Sequence, residues 1–139
     1  MSTRRLRVVY VDHSAQLSGG QLALARLLGA MDGVERHVVL AEDGPLVSRL
    51  RDCGAAVEVL PMSGRIRNLR RDKVDATTLV GPHAVASAAY AIRLARRIRQ
   101  IRPDIVHTNS LKSALYGGLA AKLARLPLVV GLHDRIADD

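Results

Sequence analysis

The 139-residue chain contains no phenylalanine and no tryptophan, and its aromatic content is three tyrosines. A core without phenylalanine or tryptophan has to be filled mainly by leucine, isoleucine, valine and alanine, which supply most of the 48% hydrophobic content and suit helices packed on a sheet. The same shortage argues against a surface that stacks on nucleic-acid bases. A single cysteine, Cys53, leaves no partner for an internal disulfide and no cysteine-based metal spacing, which fits a reducing compartment. No run reaches the roughly 18 consecutive apolar residues of a membrane span, and the opening "MSTRRLRVV" lacks the apolar region and cleavage site of a secretory signal. A cytoplasmic protein is expected.

Positive charge, by contrast, is abundant: 21 Lys and Arg stand against 13 Asp and Glu, a formal net charge of +8. Such an excess calls for an anionic partner, whether nucleic acid, a phosphorylated small molecule or an acidic membrane surface. Nucleic acid is disfavoured by the missing aromatics and by the absence of a binding module. The length is that of one domain with a real core.

Along the chain, apolar runs of strand type alternate with stretches of helical spacing. "LRVVYVD" at 6–12 reads as a strand buried on both faces, and "GGQLALARLLGAM" as a helix that Gly33 ends. "RHVVLAE" at 36–42 is a second strand, "GPLVSRLRDCG" a helix opened by Pro45 and closed by Gly54, and "AVEVLP" at 56–61 a third strand. Residues 62–81 break the pattern and read as a long surface loop or a short irregular helix. A helix opened by Pro82 follows, with Val85, Ala88, Ala89, Ile92, Ala95 and Ile98 on its apolar stripe. Strand four is "PDIVHTN" at 103–109, its helix "LKSALYGGLAAKLARL", and strand five "PLVVGLH" at 127–133.

Five strands alternating with four helices require a parallel sheet with right-handed crossovers, doubly wound in the order 3-2-1-4-5 with helices on both faces. The winding reverses between strands one and four. Ligands of such sheets bind outside the strand carboxyl ends at that reversal, so "DHSAQLSGGQ" after strand one and "HTNS" after strand four form two lips of one crevice. Polar side chains at these junctions are costly to bury, and exposure toward a ligand is expected of them.

Several residues there can carry chemistry. Gly19, Gly20 and Gln21 open the first helix, where backbone amides and about half a positive charge would stabilise an anion. Neither a dinucleotide fingerprint nor a Gly-Lys-Ser/Thr phosphate loop is present, and Glu42, placed like a ribose-binding acid, is weak evidence without those glycines. His13, His107 and His133 follow or close strands one, four and five; neutral imidazoles at one crevice mouth can bind sugar hydroxyls or move protons. Zinc is the competing chemistry for them, against which stand the lack of a cysteine to join them and of an H-E-x-x-H helix. Asn109 and Ser110 suit the N-cap of the fourth helix. Lys112 in its first turn opposes the helix dipole and is best explained by a ligand anion. Asp134 and Arg135 add a carboxylate and a guanidinium beside His133. The segment "RIRNLRRDK", with Arg65, Arg67, Arg70, Arg71 and Lys73 around Ile66 and Leu69, reads as a solvated loop or as a patch for anionic lipid.

Three stretches, "VVYVDHSAQLSGGQLALARLL", "EDGPLVSRLRDCGAAVEVLP" and "RPDIVHTNSLKSALYGGLAAKLARLPLVVGLHD", resemble the amino-terminal domain of the retaining family-four glycosyltransferases of GT-B type. The resemblance implies that residues 1–139 form a single Rossmann-like domain that mainly holds the acceptor, while a carboxy-terminal domain absent from this chain binds the nucleoside-diphosphate sugar. It implies a hexosyltransferase-type activity of a longer protein, with these residues inactive alone and no metal or cofactor required. Gly19, Gly20 and Gln21 are then the loop near the donor diphosphate and His133 the residue near the transferred sugar. Asp12, His13, His107, Asn109, Ser110, Lys112 and Arg135 become acceptor or cleft contacts, the acceptor being a glycan or a lipid-linked or cell-envelope glycan. Members that dock on membranes make the patch at 65–73 a candidate for peripheral attachment to the inner face of the membrane. The alternative is a stand-alone module that binds anionic phospho-ligands or serves as a scaffold.

Overall fold

A computed structural model of the chain describes residues 5–62 and 82–131, with residues 82–86 described by their backbone. The interrupted segment at 63–81, with its basic cluster, and His133, Asp134 and Arg135 lie outside the described residues. The order of elements is β1 (Leu6–Asp12), α1 (Gly19–Ala30), β2 (Val34–Leu40), α2 (Pro45–Asp52), β3 (Ala56–Val59), α3 (Pro82–Ile101), β4 (Ile105–Thr108), α4 (Leu111–Ala124) and β5 (Leu128–Val130). All four strand pairings are parallel, in the order β3-β2-β1-β4-β5. The expected doubly wound sheet is therefore the observed one.

β1 is central because its residues are apolar on both faces. Val8 and Tyr10 face α1 and α2, among Leu24, Leu28, Leu46 and Leu50, while Val9 and Val11 face α3 and α4, among Leu94, Ile98 and Ala120. Most boundaries move by one or two residues from the sequence reading, and the end of β5 by three, from 133 to Val130. β2 begins at Val34, since its seven residues pair one for one with those of β1, from Leu6 with Val34 to Asp12 with Leu40. β4 starts late because Pro103 has no N–H to give and Arg102 turns through φ 57°. α1 ends at Ala30, and Gly33, at φ 78°, supplies the turn into β2. α2 does close on Gly54: Gly54 N–H donates to Arg51 O and Ala55 N–H to Leu50 O, the paired bonds of a Schellman cap.

The buried face of α3 is rotated from the expected stripe. Tyr90, Ala91, Leu94, Ala95, Ile98 and Ile101 enter the core, whereas Ile92 is exposed. Tyr90 and Leu94 set the inward face, and Ala91 goes in with them while Ile92 is turned out. Tyr90 meets Tyr116 edge to face at 4.9 Å, and its hydroxyl donates to Leu60 O at 2.9 Å, so burying it leaves no polar atom unpaired.

Candidate functional site

The carboxyl ends of β1 and β4 are adjacent, and the chain leaves them in opposite senses, toward α1 and toward α4. Their junction residues are bound to one another. Asp12 ends β1 with no exposed surface, and Oδ2 accepts from Gln21 Nε2 at 2.9 Å and from Asn109 Nδ2 at 2.8 Å. Its Oδ1 accepts from the His13 backbone N–H at 2.8 Å. Asn109 Nδ2 also reaches Gly20 O at 3.1 Å, and Asn109 N–H continues the ladder onto Val11 O. One carboxylate thus pins the start of α1 to the end of β4 across the winding reversal.

This corrects the expectation that the junction side chains are exposed. Asp12 is 0%, Asn109 2% and Gln21 5% accessible, because the Asp12 carboxylate takes the side-chain amide donors of the other two. Burial pushes the Asp12 carboxyl up. Hydrogen bonds from His13 and Asn109, the nearby His13 ring and the bond from Gln21 outweigh that push, so the group titrates below its ordinary value and is an anion at neutral pH. Gln21, expected in a diphosphate loop, spends its side chain on Asp12 and on the Ser18 hydroxyl.

Around His13 the proton positions follow from the contacts. Its Nδ1 lies 2.8 Å from Ser110 Oγ and 3.3 Å from Asp12 Oδ1. A lone pair on Nδ1 would face a carboxylate, so Nδ1 carries the proton and donates to Ser110 Oγ. Ser110 Oγ accepts also from Ser113 N–H at 3.1 Å and gives its proton to Ser113 Oγ at 2.8 Å; Ser113 Oγ gives its own to Ser110 O at 2.9 Å. Every donor has one acceptor. The expected N-cap role of Ser110 is observed as a capping box in which Ser113 replaces the usual acid or amide. Nε2 of His13 is left as an acceptor at the half-buried mouth.

α1 itself is uncapped: Ser18 makes no side-chain capping bond and the first turn holds no acid. Its leading N–H groups therefore keep their capacity for an anion. Gly19 is exposed, and a Cβ there would meet nothing within 4 Å, so neither side chain nor neighbour screens that end. Lys112 sits half-buried in the first turn of α4. His107 is set back from the lips: it pairs in register with Tyr10, and its ring lies on that tyrosine with centroids 5.0 Å apart. Of the three expected histidines, His13 alone among the described residues stands at the mouth.

Sequence reasoning missed how the "EDGPL" element works. Glu42 Oε1 accepts Ala15 N–H at 3.0 Å, and Leu46 N–H donates to Ala15 O at 2.8 Å. A Cβ on Gly44 would lie 2.7 Å from Ala15 O, so glycine is needed for that approach. The element is a clamp on the loop after β1, and Glu42 is used there rather than on a ribose. Two further polar atoms near the junction, Asn109 Oδ1 and Thr108 Oγ1, are buried with no protein partner. No group of three or more His, Cys, Asp or Glu among the described residues is gathered to hold a metal ion. No helix among the described residues is long and apolar enough to cross a membrane.

A parallel doubly wound sheet with its junction loops tied at the winding reversal is a Rossmann-like domain of the kind found at the amino-terminal end of GT-B glycosyltransferases. The chain belongs to glycosyltransferase family 4, whose model matches residues 22–138. Among solved structures, HepE of Anabaena, in complex with UDP-glucose, matches with 21% identity and a TM-score of 0.66 over 95% of this chain and 30% of its own. MurG of Acinetobacter baumannii matches with 18% identity and a TM-score of 0.64 over 96% of this chain and 37% of its own. A UDP-N-acetylglucosamine 2-epimerase matches too, with 18% identity and a TM-score of 0.59 over 91% of this chain and 33% of its own, so the fold extends beyond transferases and the family match carries the distinction. The chain spans about a third of the length of these structures. No curated sequence matches it.

Proposed function

We propose that this domain is the acceptor-binding half of a retaining glycosyltransferase that moves a sugar from a nucleoside-diphosphate sugar to a glycan or lipid-linked acceptor. The observation that carries the reading is the Asp12–Asn109–Gly20 link, which holds the uncapped start of α1 at the lip of the crevice. Amides at Gly19 and Gly20 would stabilise charge on the leaving diphosphate without a metal. A second domain, outside these residues, would bind most of the donor and close over that end. His13 would accept a hydrogen bond from an acceptor hydroxyl through Nε2. Lys112 would face an anionic group, and His133 and Arg135 would contact the transferred sugar and the cleft. The basic segment at 65–73 would rest on an anionic membrane at its cytoplasmic face.

That HepE is known in complex with UDP-glucose supports a uridine nucleotide as the first donor to try. The test is turnover by the polypeptide of the full reading frame, offered a panel of nucleoside-diphosphate sugars in the presence of chelator. Release of the nucleoside diphosphate with retained anomeric configuration supports the reading. Absence of binding to every donor by calorimetry, together with no release, removes it. A stand-alone phospho-ligand module predicts binding of simple phosphates with no transfer.

A further inference from the structure

A capping box usually carries an acid or amide three residues after the N-cap, where its side chain accepts the N-cap N–H. In α4 that position is Ser113, which has no exposed surface and so touches nothing in the crevice. Its hydroxyl is nevertheless tied to the crevice through Ser110. A hydroxyl gives one proton and accepts up to two, and the serine pair uses all of that capacity. Ser113 Oγ accepts from Ser110 N–H at 3.0 Å and from Ser110 Oγ at 2.8 Å, and gives its own proton to Ser110 O at 2.9 Å. Ser110 Oγ accepts from Ser113 N–H at 3.1 Å, which leaves it one acceptor site, and that site faces His13 Nδ1 at 2.8 Å. A carboxylate in place of Ser113 could take both Ser110 protons but would give none.

The proton of the Ser110 hydroxyl is therefore the shared quantity. While Ser113 Oγ holds it, His13 Nδ1 can bond to Ser110 only as a donor, and Nε2 is left as an acceptor at the mouth. In the other tautomer Ser110 turns its proton to Nδ1, and Ser113 Oγ or Ser110 O then goes short of a donor, so the network holds one bond fewer. Removing the Ser113 hydroxyl abolishes that difference, because the Ser110 proton then finds an acceptor in this network only when Nδ1 is bare. Asp12 Oδ1, 3.3 Å from Nδ1, would be left alone in favouring the Nδ1–H form.

We propose that Ser113 is a positioning residue: acting through Ser110, its buried hydroxyl fixes the neutral His13 ring as a hydrogen-bond acceptor at the crevice mouth, so that this position takes a group bringing its own proton, a hydroxyl, and disfavours a deprotonated carboxylate or phosphate oxygen. An anion is directed instead to the uncapped start of α1. The use of that acceptor for a sugar hydroxyl rests on the sugar-transfer reading, whereas the position of the proton does not.

The test reads the proton itself. Nitrogen NMR of the neutral His13 ring in the whole chain is expected to show the Nδ1–H form in the wild type, and Ser113→Ala to raise the ratio of Nε2–H to Nδ1–H by about fivefold, as the loss of one net hydrogen bond requires. Ile98→Val trims a buried side chain of α3 that takes no part in this network; it should lower stability by a comparable amount and leave the ratio within about twofold. A ratio that Ser113→Ala leaves within about twofold of wild type overturns the proposal. So does an equal shift in Ile98→Val, which would make the effect a general loosening, and an Nε2–H ring in the wild type overturns it with no variant at all. A shifted ratio in a protein that binds no nucleoside-diphosphate sugar upholds the role of Ser113 and removes the sugar-transfer reading, so the two fail separately.

Discussion

Replacing Asp12 by asparagine is the sharpest probe of the junction, because it is nearly isosteric and removes the anion. The carboxylate accepts from His13 N–H, Gln21 Nε2 and Asn109 Nδ2 at 2.8, 2.9 and 2.8 Å, with no exposed surface. Asparagine can keep its oxygen toward Gln21 and Asn109, but its amide nitrogen then faces the His13 N–H and the protonated Nδ1. One buried bond is lost, donors are left facing a donor, and the two surviving bonds lose their charge assistance. At about 1–3 kcal/mol for the unsatisfied group and about 1 kcal/mol for the weakened bonds, the loss is about 3 kcal/mol at neutral pH. Its pH dependence follows in sign from the lowered carboxyl pKa. Asp12 contributes stability that is fully present above the unfolded value, about 3.9, and is lost as pH falls through the lower folded value, so wild type and variant converge in acid. Urea unfolding at pH 7 and near pH 3 reads both. A loss under about 0.5 kcal/mol at pH 7, or a gap that does not narrow in acid, would refute the view that this carboxylate ties the two lips together.

The remaining predictions concern positions whose neighbours are defined. Gly117→Ala sets a Cβ 2.7 Å from Thr108 Cγ2 between α4 and β4 and is expected to cost about 1–3 kcal/mol in thermal or urea unfolding, whereas Gly19→Ala, with nothing within 4 Å, should leave stability within about 0.5 kcal/mol and weaken nucleotide binding seen by calorimetry. Arg125 ends α4 in the left-handed region at φ 59°, and Arg125→Gly should raise stability by about 1 kcal/mol, measured by the urea midpoint. Nitrogen NMR of the imidazoles should find His13 protonated at Nδ1 at neutral pH, with Asp12→Asn shifting it toward the Nε2 form; an Nε2-protonated ring in the wild type would contradict the assigned network.

The strand order could be read from the sequence because alternation constrains topology so strongly. Apolar runs such as "VVYV" have one stable home, a strand covered on both faces, and right-handed crossovers leave few orders for five of them. The adjacency of the Gly19 and Asn109 segments followed from that order and was within reach. Less visible was which residues of α3 go inward. Ile92 and Tyr90 compete for the core on apolar periodicity alone, and the outcome turned on a carbonyl at Leu60 and a ring at Tyr116 that are distant in sequence. The same cause hid the clamp made by Glu42 and Gly44 on Ala15, since its partners come from different loops.

Asp12 shows why a polar junction is not read correctly one residue at a time. Taken singly, a carboxylate, two amides and two serines at strand ends are expensive to bury, and the economical expectation is that they face solvent or ligand. Together they satisfy one another at all but Oδ1 of Asn109, and the burial that each resists alone becomes a joint between two loops. The division of labour at the crevice follows. Side chains that looked like ligand contacts, Asp12 and Gln21, are occupied in holding the loops in place. Groups left with unused capacity at the half-buried or exposed mouth, the amides that open α1 and Nε2 of His13, are where the proposed substrate contacts would fall, whereas Oδ1 of Asn109 is buried behind them. A search for substrate contacts by mutation should therefore start from His13 on the proposed acceptor side and Gly19 on the proposed donor side, with stability measured beside binding, and treat loss of activity at Asp12 as loss of the frame.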